Sequence, residues 1–208
     1  MEIRGVILAG GEARRMGGGD KGLLSFGSGC LLDAVIARFD PQVADLAINA
    51  NGDATRLARF GLPVLADSTA QPAGPLGGVL AALDWAAATG GDRVVTVAAD
   101  TPFLPADLVP QLFLAAEMAG CDCAIAASAD AGGEIRDHPT FGLWPVSQRD
   151  ALRAALEGGL RRMRDWALPE RTARAVFPSD RGDPFFNINR PEDLDRARTL
   201  LAGREPSM

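Results

Sequence analysis

Short apolar runs alternate with amphipathic stretches along most of the chain, a rhythm that predicts β-α units around a mainly parallel sheet. Ile3–Leu8 reads as a buried strand, and Leu31–Phe39 as the helix that follows a long glycine-rich loop. Val43–Ala50 and Pro63–Ala66 read as the next strands, with a polar helix over Asp53–Phe60 between them. Leu76–Ala88 carries apolar residues at helical spacing, and Arg93–Ala99 is a further strand ending at Asp100. Pro105 is expected to open another helix that stops at Gly120, and Cys121–Ser128 to form the following strand.

The texture changes near residue 130. Gly132-Gly133 marks a loop, Thr140–Trp144 reads as an isolated strand, and Ser147–Glu157 and Leu160–Trp166 read as helices. Thr172–Phe177 then reads as a strand and Pro191–Leu201 as a terminal helix, so this half is expected to cover the open end of the sheet. The expected organisation is one domain over 1–203, in two halves of about 1–128 and about 129–203, with a frayed tail at 204–208.

Composition narrows the function classes. At 208 residues and 47% hydrophobic, the chain can bury a substantial core. A net charge of −6 argues against a general binder of nucleic acid or anionic membrane, so any bound anion must be held by local chemistry. No apolar run is long enough to span a bilayer, and the first residues enter a charged strand instead of a signal-peptide pattern; the expectation is a soluble, cytoplasmic protein. Cys30, Cys121 and Cys123 have no C-x-x-C spacing and His138 is the only histidine, so a zinc site of the usual kind lacks ligands.

Of the 21 basic residues, only Lys21 is a lysine, and it stands in a glycine cluster. The fifteen residues from Leu8 to Gly22 hold six glycines, Arg14, Arg15 and Lys21. Glycines let backbone N–H groups approach an anion closely, while Arg15 and Lys21 can neutralise a triphosphate. A P-loop would need Gly-Lys followed by Ser or Thr, but Lys21 follows Asp20 and precedes Gly22. Gly17-Gly-Gly19-Asp-Lys-Gly22 formally fits G-x-G-x-x-G, yet it begins too far beyond the strand to serve as a dinucleotide fingerprint.

Leu8-Ala-Gly-Gly11, Arg14-Arg-Met-Gly17 and Asp20-Lys-Gly22 together resemble the signature of the molybdenum-cofactor guanylyltransferases, a branch of the Rossmann-like nucleotidyltransferases. Asn49-Ala-Asn51, Asp67-Ser68, Gly74-Pro-Leu-Gly-Gly78, Asp100-Thr-Pro102, Asp137-His-Pro-Thr140 and Phe186-Asn-Ile-Asn-Arg-Pro-Glu-Asp193 follow in that family's order. Ala9-Gly10-Gly11 matches the guanylyltransferases, where relatives using CTP carry Ala-Ala-Gly. Gly27-Ser-Gly-Cys30 departs from the Gly-Lys-Pro turn of many relatives, which bears only on a secondary phosphate contact, because Lys21 remains.

The resemblance implies a three-layer α/β/α fold and transfer of GMP from GTP to the terminal phosphate of molybdenum-molybdopterin. It implies Mg²⁺ as cofactor with Asp100 as its ligand, and Arg15, Lys21 and Asp100 as the catalytic set. Leu8, Ala9, Gly10, Gly11, Asn49, Asp67, Gly74 and Gly78 are the remaining expected GTP contacts, and His138, Asn187 and Asn189 the expected acceptor contacts. A general base is not required, because a phosphate monoester already offers an anionic oxygen. The expected state is a monomer in transient contact with proteins that deliver and receive the cofactor, with no nucleic acid and no membrane. Read from the residues alone, Asp100 also suits a helix cap, Asp67 a turn, Gly77 and Gly78 packing and His138 a structural role, while the Arg161–Arg164 cluster suits anionic acceptor groups and a solvated helix face equally. Two rivals stay open: a nucleotidyltransferase with CTP or another phosphorylated acceptor, and a non-catalytic nucleotide or cofactor binder.

Overall fold

In the computed structural model, residues 2–10, 20–69, 73–130, 132–167, 171–180 and 182–203 are described. Among them the strands in chain order are β1 (Ile3–Leu8), β2 (Ser25–Phe26), β3 (Gly29–Cys30), β4 (Asp45–Asn49), β5 (Val64–Leu65), β6 (Arg93–Ala98), β7 (Cys123–Ala129), β8 (Ile135–Pro145) and β9 (Thr172–Pro178). Seven of these form one sheet in the order β5-β4-β1-β6-β8-β7-β9, and β2 and β3 pair separately as a hairpin. All neighbours in the sheet run parallel except β8, which lies antiparallel between β6 and β7.

The helices are α1 (Leu31–Phe39), α2 (Pro75–Ala88), α3 (Leu108–Ala119), α4 (Arg149–Glu157), α5 (Met163–Trp166) and α6 (Pro191–Ala202). Successive residues of a strand point to opposite faces, so a central strand covered on both sides must be apolar throughout. In β1, Ile7 packs with α1 and α3 residues such as Phe39 and Leu112, whereas Val6 packs with Leu80 and Leu83 of α2 and Leu152 of α4. The result is the expected three-layer α/β/α arrangement. α2 is buried nearly all round because α4 covers its outer side, where Arg153 donates to Asp84 at 2.7 Å. A third apolar cluster, with Phe26, Leu31, Phe103, Ile188 and Leu194, fastens α6 and the segment before it to the β2-β3 hairpin.

The structure corrects several sequence expectations. Pro105 does not open α3; it lies in the preceding turn, accepting from Leu108 N at 3.3 Å, and the helix begins at Leu108. Ala54–Phe60 is a 3-10 helix capped by the Asp53 side chain. The short strands β2 and β3 occupy what reads as loop. Thr140–Trp144 is not isolated: it is the second half of β8, which enters the sheet next to β6. The C-terminal half therefore contributes β8 and β9 to the sheet instead of only covering its end.

The break inside β8 has a local cause. Pro139 has no N–H to give to a ladder, and the register against β7 jumps there, from Ile125 opposite Gly142 to Ala126 opposite His138. Beyond the break, Trp144 Nε1 donates to Thr96 Oγ1 at 3.0 Å, and that hydroxyl donates to the Thr140 carbonyl at 2.9 Å. The Thr96 hydroxyl thus holds Thr140, which lines the cavity described next.

Candidate active site

The carboxyl ends of β1, β4, β5 and β6 border a cavity of about 630 Å³. Strand order reverses here, since β1 is followed in the sheet by β4 on one side and β6 on the other, which is where open α/β sheets take ligands. Its floor is made of small residues, Ala9 and Gly10 after β1 and Ala98 and Ala99 at the end of β6. Ala9 N donates to Asn49 O at 2.8 Å and Ala99 N to Leu8 O at 3.2 Å, so the sheet ladder holds this floor in place.

One end of the cavity is a cation centre. The Lys21 ammonium pairs with the Asp100 carboxylate and donates to Asn189 Oδ1 at 2.8 Å and Asn187 Oδ1 at 3.2 Å. Both members of the ion pair are largely buried, with side-chain exposures of 11% and 17%. Ile188 explains why the two asparagines meet the same atom. It is fully buried, and Ile188 N donates to Asp100 O at 3.0 Å, so its neighbours on either side turn to the opposite face. Asp193 completes the arrangement by accepting from Asn189 N and Arg190 N, each at 2.9 Å, at the start of α6.

The other end is an amide-carboxylate centre. Asn49 Nδ2 donates to Asp67 Oδ1 at 2.9 Å and to Leu65 O at 3.0 Å. Asn51 Nδ2 donates to Asp67 Oδ2 at 3.0 Å while Asp67 N donates to Asn51 Oδ1 at 2.9 Å. The first turn of α2 presses against this group from behind. A Cβ at Gly78 would stand 2.3 Å from Asn49 Oδ1, and one at Gly77 would stand 2.9 Å from Asp67 Oδ2. Gly74 enters the helix at φ 59° and ψ −150°, a conformation that a side chain would strain.

The structure therefore gathers Leu8, Ala9, Gly10, Lys21, Asn49, Asp67, Gly74, Asp100 and Asn187 around one cavity. Asn189 reaches it through Lys21, and Gly78 lies behind Asn49. Gly11 and Arg15 lie outside the described residues. Asn51 and Thr140 line the cavity without having been assigned roles; the spacing of Asn49 and Asn51 at strand period was the available signal for the first. The Arg161–Arg164 cluster begins with Arg161 Nη1 donating to Leu156 O at 2.7 Å and Leu160 O at 2.6 Å, an arrangement that closes the end of α4.

His138 stands apart from the cavity lining. Its ring stacks on Phe185 with centroids 4.5 Å apart, and Nε2 lies 2.8 Å from Ser128 Oγ. Burial pushes the imidazole below its ordinary value; Arg136 adds to that effect, while Asp183 and Asp137 oppose it. A histidine depressed in this way is held neutral in the folded chain, so the unfolded chain takes up its proton first. The stability it contributes is complete above the unfolded value and is lost as the pH falls through it toward the folded one. Acidification from about pH 7.5 to about pH 5.5 should lower the thermal midpoint of the native protein more than that of His138→Gln. Parallel curves would show that the ring is freely solvated.

This strand-end cavity, with a lone lysine facing a carboxylate, is accompanied by clear sequence similarity. Residues 5–176 match the model of the MobA-like NTP transferase domain. A molybdenum cofactor guanylyltransferase of Cereibacter sphaeroides is 51% identical over 201 residues, covering 97% of this chain and 98% of that one. The chain belongs to the molybdenum cofactor guanylyltransferase family. In three dimensions it resembles the molybdopterin-guanine dinucleotide biosynthesis protein A of Archaeoglobus fulgidus, with a TM-score of 0.72 at 24% identity over 96% of this chain and 99% of that one. It also resembles the 2-C-methyl-D-erythritol 4-phosphate cytidylyltransferase of Thermus thermophilus, with a TM-score of 0.70 at 18% identity over 97% and 100% of the two chains. The fold is thus common to this family and to a cytidylyltransferase. None of the described helices is long and apolar enough to cross a membrane.

Proposed function

We propose that the protein transfers GMP from GTP to the terminal phosphate of molybdenum-molybdopterin, giving the guanine dinucleotide form of the cofactor and pyrophosphate. The observation that supports it most is the Lys21–Asp100 centre at one end of a nucleotide-sized cavity, in a chain 51% identical to a protein of that name. In this reading the triphosphate lies over the ends of β1 and β6, and the nucleoside lies toward Asn49 and Asp67. Small residues at Leu8–Gly10 leave the backbone free to meet the base edge.

The acceptor's phosphate oxygen attacks the α-phosphorus of GTP, a new P–O bond forms, and the bond to the β-phosphate bridging oxygen breaks. The electron pair leaves with pyrophosphate, and no proton has to be removed from the attacking oxygen. This agrees with a His138 that is not among the residues lining the cavity. Lys21 neutralises charge that grows on the phosphate oxygens, a preorganised electrostatic contribution. Asn187 and Asn189 hold the ammonium in place and offer amide groups to the acceptor.

The same centre suits Mg²⁺. Three side-chain oxygens, from Asp100, Asn187 and Asn189, already converge on one positive charge. Magnesium prefers such oxygen donors and commonly takes only one or two carboxylates, completing its shell with phosphate and water. Among the described residues no cluster of three or more His, Cys, Asp or Glu side chains could hold a metal, so Asp100 would bind it together with the nucleotide. When bound, Mg²⁺ would neutralise triphosphate charge and orient the leaving group.

The test is incubation with GTP, Mg²⁺ and molybdenum-molybdopterin, followed by mass detection of the dinucleotide and measurement of pyrophosphate. One product dinucleotide per pyrophosphate is expected, with GTP preferred to CTP in competition. Faster turnover of CTP would assign the protein to a cytidylyl-transferring activity, and GTP binding without pyrophosphate release would make it a binder of nucleotide.

A further inference from the structure

Outside the cavity, one guanidinium joins its two polar ends. Arg56 belongs to the 3-10 helix Ala54–Phe60. Its Nε pairs with the Asp20 carboxylate, its Nη1 donates to Asp53 O, and its Nη2 donates to Asn51 O at 2.8 Å. Gly52 makes the turn between those two carbonyls with φ at 83°, and a Cβ there would stand 3.9 Å from Nη1, so the guanidinium lies against the turn itself.

Each partner of Arg56 leads into a different part of the site. Asp20 immediately precedes Lys21, and its carbonyl accepts from Leu23 N at 3.1 Å, beginning the turn that carries the ammonium. Asn51 grips Asp67 at both its carboxylate and its N–H. Contacts thus run from Asp20 through Arg56 and Asn51 to Asp67, around the ends of β1 and β4. A planar fork with several fixed donors suits such a joint, where a lysine would supply only a point charge.

We propose that Arg56 is a positioning residue for nucleotide capture: it sets the spacing between the ammonium end and the Asn49–Asp67 end of the cavity. The proposal rests on the nucleotidyl-transfer reading above. A ligand that spans two subsites gains from both only when their separation matches its own length. Fragments that occupy one end are indifferent to that separation. Arg56 itself does not line the cavity, and its influence on GTP passes through Asp20 and Asn51.

The experiment compares GTP, inorganic tripolyphosphate and guanosine as ligands, with affinities read by ligand-observed NMR and calorimetry. Arg56→Met should weaken GTP about tenfold or more while leaving both fragments within about twofold of the native protein. Arg56→Lys keeps a charge near Asp20 but cannot reach both carbonyls, and should fall between. Asp20→Asn should reproduce the Arg56→Met loss, and the double variant should be no worse than either, as expected for two members of one contact. Equal weakening of all three ligands, unchanged GTP affinity, or additive losses would each overturn the positioning role. Native protein that fails to bind GTP would instead sink the nucleotidyl-transfer reading, and this inference with it.

Discussion

Lys21→Ala is expected to slow turnover at saturating GTP by about 10²-fold or more, the scale on which one electrostatic donor is lost from a preorganised site. The argument is geometric. The ammonium is the common partner of Asp100, Asn187 and Asn189, so its removal takes away the charge proposed to face the phosphates and leaves a mostly buried carboxylate beside two amide oxygens. Like partial charges then face one another across an empty space. Lys21→Arg should recover little, because a planar guanidinium is bulkier than the point-like charge that three converging oxygens enclose. Single-turnover rates, with thermal unfolding as a control for folding, decide the matter. A rate within a few-fold of native would remove Lys21 from the mechanism.

Asp100→Asn should have an effect of similar size, about 10²-fold on the chemical step, but with a different signature. The substitution preserves shape and removes the charge that would hold Mg²⁺. The proposed dependence of the rate on Mg²⁺ concentration should therefore be lost, while metal-free GTP binds at least as well as before, because Lys21 is released from its ion pair. The double variant with Lys21→Ala should be little worse than either alone, since the two groups act as a unit. An Asp100→Asn protein with a native Mg²⁺ profile would place the metal elsewhere.

The separation of these effects depends on residues distant in sequence. Lys21 and Asp100 are 79 residues apart, and Lys21 and Asn189 are 168 apart. Each was nonetheless conspicuous locally: a solitary lysine among glycines, a carboxylate at the end of an apolar strand, and two asparagines at alternate positions. Asn51 was less visible, because an amide after a strand is ordinary until its double contact with Asp67 is known. His138 could be read from sequence as part of an acceptor wall or as a structural residue. Its contacts with Phe185 and Ser128, outside the residues that line the cavity, are visible only in three dimensions.

The helix boundaries divide in the same way. α1 and α2 carry an apolar repeat long enough to be read directly, and they lie where the repeat predicts. Pro105 is compatible with a helix start but also with a turn, and only the packing of Leu108 and Leu112 onto the sheet selects the later start.

Periodicity and composition by themselves determined most of the β-α order and marked Lys21, Asp100, Asn187 and Asn189 as conspicuous positions, because those signals depend on neighbours along the chain. Tertiary structure alone decided that β8 runs antiparallel between β6 and β7 and that Arg56 ties Asp20 to Asn51. Those outcomes arise from contacts between segments far apart in sequence, whose energies depend on which surfaces meet and at what distance, and no local pattern of residues encodes that meeting.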